Sequence, residues 1–387
     1  MNTGRPIFAQ LMDPIHPQHF ERCVTRYGGE HKVMSFSCWD QFLCMGFAQL
    51  TGRESLRDTV DCLNARADTL YHAGFRGAIR RSTLADANEN RDWRIYATLA
   101  QGLIQRARQL YANEPLAMDL DATVYALDST TIDLCLNVFS WARFRRTKAA
   151  IKLHTLLDLR GPIPTFVHIS DGKLHDVNAL DELTVEPGAF YVMDRAYMDF
   201  GRLYVLQQQG AFFVIRAKSP LRFARVHSLP VDDSTGVCSD QIIRLTVYRS
   251  RQAYPDCLRR VRFYDEETER YFPFLTNNFP LPALTIAQLY KSRWQVELFF
   301  KWIKQHLRIK RFIGTSANAV KTQVWIALCV YVLVAILKKQ LNLPESLHKF
   351  LQILSVNAFE KVPLYELLTA GEAGITEPSI HNQLTLF

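Results

Sequence analysis

The sequence predicts a mixed α/β protein with an all-α N-terminal region and a β-rich insertion near its middle. Three observations support this. Residues 1 to about 115 show helical periodicity and no convincing strand. Near residue 120, short β-rich runs begin to alternate with helical ones. Between Ser219 and about Asn278 the pattern becomes entirely β. The chain has 387 residues, enough for several domains. We divide it at 1–115 (helical), 116–218 (first part of an α/β core), 219–278 (β insertion), 279–340 (second part of the core) and 341–387 (helical tail).

Taken in order, "TGRESLRDTVDCLNA" opens a helix, with Thr51 and Glu54 at capping-box spacing. "RRSTLADANENRDWRIYATLAQGLIQRARQLY" begins a second helical region behind Ser82 or Thr83. Between them, "YHAGFRGAIRRS" sets Arg76, Arg80 and Arg81 around a Gly-containing turn, which suits docking on DNA and suits a plain bundle equally. "TVYALDSTTIDLCL" is a strand that ends in a basic loop carrying Arg143, Arg145, Arg146 and Lys148. "AAIKLHTLLDL" and "IPTFVHIS" flank "RGP" as a hairpin. "LHDVNALDEL" reads as a helix and "AFYVMDRA" as a short buried strand. "DFGRLYVLQQQG" is a helix ended by Gly210, and "AFFVIRAK" is another strand. "IIRLTVYRSR", "LRRVRFYDEE" and "ERYFPFLTNN" supply the β insertion.

A helix over 290–310 follows. Leu289, Val296, Phe299, Phe300, Ile303 and Leu307 form its apolar arc. Tyr290, Arg293, Glu297, Lys301, Lys304 and Arg308 line its edge, so one carboxylate sits on a cationic stripe. Arg293–Glu297 and Glu297–Lys301 are helix-supporting i,i+4 pairs, worth about 0.2–0.5 kcal/mol each. The longest apolar run, Val324 to Leu337, has 14 residues. A bilayer span needs about 20, so this run reads as a buried core helix and no membrane association is expected. The N-terminus lacks a signal-peptide plan, and the eight cysteines show neither CxxC nor zinc spacing. These features point to a cytoplasmic protein with reduced thiols.

The net charge of +8 points weakly toward a polyanionic partner. Two aspartates stand out by position. Asp128 follows "TVYAL", at or just beyond a strand core, and Asp194 follows "AFYVM" at a strand end. Such carboxylates face the crevice where α/β sheets bind ligands, although Asp is also an ordinary turn residue. Asp119 and Asp121 compete for the first role but precede the strand. With Glu297 as a third oxygen donor, the set suits a pair of divalent cations acting at phosphorus, and Arg293 and Lys304 suit a phosphodiester backbone. Weaker candidates are Arg216 and Lys218 at a strand end, and Lys152 with His154, facing crevice, solvent or DNA. His175 with Asp176 marks a helix start, while Trp294 and Trp302 read as packing.

These residues carry a resemblance. Tyr290, Arg293, Glu297 and Lys304 have the order and spacing of the YREK signature, and "DST" at Asp128 and "DRAY" at Asp194 resemble two catalytic Asp motifs. The chain therefore resembles DDE transposases of bacterial insertion sequences over roughly 120–340. "FAQLTGRESLRD" and "STLADAN" are similar to the helical domain of one subgroup.

The resemblance implies a ribonuclease H-like fold, a β insertion and a helical N-terminal DNA-binding domain. It implies Asp128, Asp194 and Glu297 as ligands of two Mg²⁺ ions, with Mn²⁺ able to substitute. It further implies Tyr290, Arg293 and Lys304 on the DNA end; Lys301, Arg216, Lys218 and Lys152 are further DNA-binding candidates. The expected partners are terminal inverted repeats and target DNA, held by a homodimer on paired ends in the nucleoid. Where a hairpin intermediate forms, a flipped base needs an aromatic, for which Tyr271, Phe272 and Phe274 are candidates. Two alternatives stay open: a structure-specific endonuclease without strand transfer, and a DNA-binding protein that does not cut.

Overall fold

The computed structural model describes residues 4–116, 118, 120–145, 147–306, 312–343 and 346–369. Asp119, Arg146, Leu307, Arg308 and the tail beyond 369 lie outside them. The helical N-terminal region comprises α1 (Ile7–Leu11), α2 (Pro17–Arg26), α3 (Cys38–Leu50), α4 (Leu56–Asn64), α5 (Ala67–Leu70), α6 (Arg81–Asn90) and α7 (Arg94–Tyr111). The capping expectation at Thr51 is corrected: α4 is capped by Ser55, which accepts from the Asp58 N–H, while Thr51 closes α3. The second helical region is two helices, because Asp92 turns the chain and accepts from the Arg94 N–H at 2.9 Å.

Among the described residues, ten strands form one mixed sheet. They are β1 (Val124–Leu134), β2 (Arg143–Arg145), β3 (Lys148–Asp158), β4 (Ile163–Asp171), β5 (Phe190–Met193), β6 (Phe212–Arg216), β7 (Phe223–Leu229), β8 (Val237–Leu245), β9 (Leu258–Asp265) and β10 (Arg270–Thr276). The order is β2-β3-β1-β5-β6-β10-β9-β8-β7, with β4 also on β3. β1, β5 and β6 are parallel, and the hairpin expected around "RGP" is β3–β4. The β-rich stretch 219–278 continues this sheet, since β10 pairs antiparallel with β6 from Phe274↔Arg216 to Thr276↔Val214. "LHDVNALDEL" forms a 3-10 helix, Asp176–Glu182, and α8 (Phe200–Gln208) ends before Gly210, whose φ of +78° suits glycine. The short α9 (Tyr248–Ala253) lies between β8 and β9.

Alternation along the strands gives the sheet two apolar faces. Tyr125, Leu127, Tyr191, Met193, Phe213 and Ile215 pack beneath α8. Val124, Ala126, Val192 and Val214 join the larger core on the opposite face. That core holds α10 (Ala283–Ser292), α11 (Trp294–His306) and α12 (Ala317–Gln340). The C-terminal α13 (Leu347–Val356) and α14 (Leu364–Thr369) add to it. α12 is the buried helix expected around the apolar run, and its length and composition would allow it to cross a membrane. Its most apolar stretch is 94% buried within the protein, so it serves as the central core helix. It packs against α3, α6 and α7 as well as α11, giving the N-terminal helices and the sheet a single core. The change near residue 115 is thus a change of secondary structure within one core.

Candidate active site

Strand parity puts Asp128 and Asp194 on the same face of the sheet. Leu127 pairs with Met193, and Met193 with Ile215, across parallel β1, β5 and β6. The next residue on each strand is Asp128, Asp194 and Arg216. All three share the face of Val124, Ala126, Val192 and Val214, on which α10 and α11 lie. Asp128 is mid-strand in β1, but the parallel ladder stops at Leu127 while pairing with β3 continues. The position is therefore a sheet opening rather than a strand terminus. Asp121 precedes the strand, and its carbonyl accepts from Arg160.

The helix expected over 290–310 is interrupted. α10 ends at Ser292 and α11 starts at Trp294, with Arg293 between them. The Arg293 N–H reaches the Tyr290 carbonyl and the Val296 N–H reaches the Arg293 carbonyl, three-residue steps that tighten the turn. The apolar arc holds as expected among the described residues: Leu289, Val296, Phe299, Phe300 and Ile303 are buried.

Arg293 organises the centre. Its Nη1 donates to Asp128 Oδ2 and its Nη2 to Glu297 Oε1, each at 2.6 Å. The two carboxylates are thus separated by one guanidinium. The Tyr290 hydroxyl donates to Asp194 Oδ1 at 3.2 Å, and the Arg293 guanidinium lies 5.7 Å from the Tyr290 ring. Asp128 and Glu297 are so joined through Arg293, and Asp194 is tied to the same helical turn through Tyr290. Burial pushes the Asp128 carboxyl up to about 6 against the pull of Arg293, and nearby Glu297 and Asp194 add to the rise. Burial also pushes Tyr290 up to about 12, so its hydroxyl stays a donor.

Among the described residues no three His, Cys, Asp or Glu side chains stand close enough to hold one metal ion. The donor chemistry nonetheless fits a hard divalent cation, because the set is all oxygen. A positive charge already sits between two of these carboxylates in the form of Arg293. Cation binding there requires that guanidinium to yield.

The surrounding residues divide. Lys304 lies along β1 and donates to the Thr131 carbonyl at 3.0 Å, and Lys301 is exposed on α11. Arg216 stacks over Phe272 at 4.7 Å. It lines a cavity of about 680 Å³ with Asp194, Tyr290, Phe272 and Trp294. Lys218 is exposed just past β6. Trp294 is half-exposed and lines the cavity instead of packing, whereas Trp302 packs on Tyr331 at 4.5 Å. Phe274 is buried against Tyr290, and Tyr271 is exposed beneath Arg262.

Lys152 is a correction. Its Nζ donates to Asp176 Oδ1 and the Leu174 carbonyl, and it faces the α8 side of the sheet, away from Asp128. Its ammonium is taken up by this internal ion pair, on the face of the sheet opposite Asp128. His154 is likewise fully buried, with burial pushing it down to about 4. The exposed His175 precedes the 3-10 helix. Sequence reasoning missed the bridging position of Arg293 and the contribution of Trp294 to the cavity. The half-apolar, half-polar register of "SRWQVE" was the available signal for both.

Residues 119–333 match the model of the transposase DDE domain, and residues 3–76 match a domain of unknown function. A putative transposase of Sinorhizobium fredii is 32% identical over 284 residues, 72% of this chain and 77% of that protein. A probable transposase for an insertion sequence element of Geobacillus stearothermophilus is 33% identical, covering 58% of this chain and 60% of that protein. A putative transposase for an insertion sequence element of Synechocystis is 23% identical, covering 76% of this chain and 79% of that protein. The chain belongs to the DDE transposase family of insertion sequences, DNA-acting enzymes whose domains generally depend on a divalent metal.

Proposed function

We propose that this protein binds the terminal inverted repeats of its element, cuts the DNA ends and joins the freed 3′-OH to target DNA. We assign it to the YREK group and its sheet to the ribonuclease H-like fold. The observation that carries this reading is the pairing of Asp128 and Glu297 through Arg293, with Asp194 held on Tyr290 in the preceding helix. A binding module has no use for two carboxylates bridged by an arginine with a third beside them, and a sugar hydrolase has none for the adjoining cations.

Asp128, Asp194 and Glu297 would hold two Mg²⁺ ions, with Mn²⁺ able to substitute. When bound, such ions lower the pKa of an attacking water or hydroxyl and stabilise the leaving oxygen at phosphorus. The chain's own groups do the rest. Arg293 releases its carboxylates and grips a phosphate with its planar fork, and Tyr290, Lys304 and Lys301 hold the same strand. Arg216 and Lys218 extend this grip past β6. The cavity by Phe272 and Trp294 accepts an unstacked base where a hairpin is formed. In cutting, a water oxygen bonds to phosphorus and the 3′ oxygen leaves with a proton. In joining, that 3′-OH displaces a target 3′ oxygen, so each phosphodiester lost is replaced by one gained.

End recognition is assigned to the helical N-terminal region, where Arg76, Arg80 and Arg81 are exposed before and at the start of α6. A homodimer would hold two ends together. Incubation with end-containing DNA and Mg²⁺ tests the whole reading: cutting plus joining is expected. Cutting alone would make the protein an endonuclease, and an uncut shifted band would make it a binder. Glu297→Ala should abolish cutting while leaving end binding intact in a gel-shift assay; full-rate cutting by that variant removes Glu297 from the mechanism.

A further inference from the structure

We propose that Asp176 is a positioning residue that braces the back of β1 directly behind Asp128. The inference rests on the reading that Asp128 belongs to the cutting centre. Because successive strand residues point to opposite faces, the Ser129 side chain leaves the sheet opposite Asp128. There its Oγ donates to Asp176 Oδ1 at 2.6 Å. The Ser129 N–H donates to Asp128 Oδ1 at 2.8 Å. One residue therefore carries both bonds. The hydroxyl anchors the strand to Asp176, and the amide holds one oxygen of Asp128, leaving Oδ2 turned toward Arg293.

Asp176 is itself fixed. It begins the 3-10 helix Asp176–Glu182 and pairs with Lys152 at 3.1 Å, while Lys152 also donates to the Leu174 carbonyl at 3.0 Å. His154, opposite Ser129 on β3, closes the wall with Nδ1 3.9 Å from Asp176 and Nε2 3.0 Å from Ser170 Oγ. The buried Tyr197 hydroxyl, three residues past Asp194, lies against Ser129 without a well-formed hydrogen bond. A largely buried ion pair stabilises a fold poorly compared with an apolar wall. Orientation of the Asp128 segment accounts for its presence here.

The experiment measures single-turnover cutting of an end-containing duplex, end affinity by gel shift, and melting temperature. The variants are Ser129→Ala, Asp176→Asn, the double variant and Ser129→Thr. Each of the first two should slow cutting about 10- to 100-fold, as loss of a ligand-orienting partner does, with end affinity held; Ser129→Ala should also hold the melting temperature, whereas Asp176→Asn lowers it by leaving Lys152 unpaired. The double variant should be no slower than the worse single, because both act through one bond. Ser129→Thr, which keeps the hydroxyl, should recover most of the rate. Full-rate cutting by both single variants, additive losses, or Ser129→Thr as slow as Ser129→Ala would overturn the proposal. So would a joint fall in rate, affinity and melting temperature, which marks a brace of the fold alone. Asp128→Asn serves as the control: full-rate cutting by it would sink the cutting-centre reading instead.

Discussion

Arg293 neutralises two carboxylates that cannot otherwise approach one another cheaply. Arg293→Ala leaves Asp128 and Glu297 without their shared counter-charge, so it should destabilise the metal-free protein by about 1–3 kcal/mol. Added Mg²⁺ should then raise its melting temperature more than that of the parent; equal increments would show that the guanidinium and the ion do not share a place. Asp128 gives a pH prediction. Its folded value near 6 lies above the ordinary 3.8, so the folded state binds this proton more tightly than the unfolded chain. The stability it contributes is present below about pH 4 and is lost as pH rises through 6. Urea midpoints for the parent and Asp128→Asn without metal should therefore diverge over that window, and parallel curves would refute the assignment. The spacing of Tyr290, Arg293, Glu297 and Lys304 was readable in the sequence. That Arg293 would lie between Asp128 and Glu297 was not, because the first contact spans 165 positions. Alternation along β3 likewise gave two faces for Lys152 and His154 without saying which was covered.

At the level of elements, the break at Arg293 divides the site between two helices: α10 brings Tyr290 to Asp194, and α11 brings Glu297 to Arg293. No glycine or proline marks this break, so residue pattern alone predicted one continuous helix. The strands around it were easier. β1, the β3–β4 hairpin, β5 and β6 each combine a short apolar run with clear turn chemistry. α11 takes its position from α12. The Tyr331 ring meets Phe299 and Trp302 edge-on at 5.1 and 4.5 Å, and its hydroxyl donates to the Pro162 carbonyl. Tyr331→Phe should cost about 1 kcal/mol for the lost hydrogen bond. Tyr331→Ala should cost about 3–5 kcal/mol for the lost ring, and should slow cutting because α11 loses its backing. Denaturant midpoints alongside cleavage rates would check both, and a stable but inactive Tyr331→Phe would contradict this ordering.

Across the whole molecule, the N-terminal helices and the sheet share the core around α12. Composition signalled the change near residue 115, but a shared core depends on long-range packing that local pattern does not carry. A chain trimmed to 116–387 should accordingly expose α12 and fail to give a soluble, monodisperse protein. A well-behaved fragment by size-exclusion chromatography would show that the two parts are independent. The matched rungs of β1 and β5 have a separate effect. The last matched rung, Leu127 with Met193, holds the two backbones at the usual strand spacing of about 4.7–4.9 Å just before Asp128 and Asp194, independent of the residues that join the strands. Two of the three candidate carboxylates thus follow adjoining strands, and the third, Glu297, sits on a helix of its own. The segments joining those strands can therefore change in length while the two aspartates keep the same footing in the sheet.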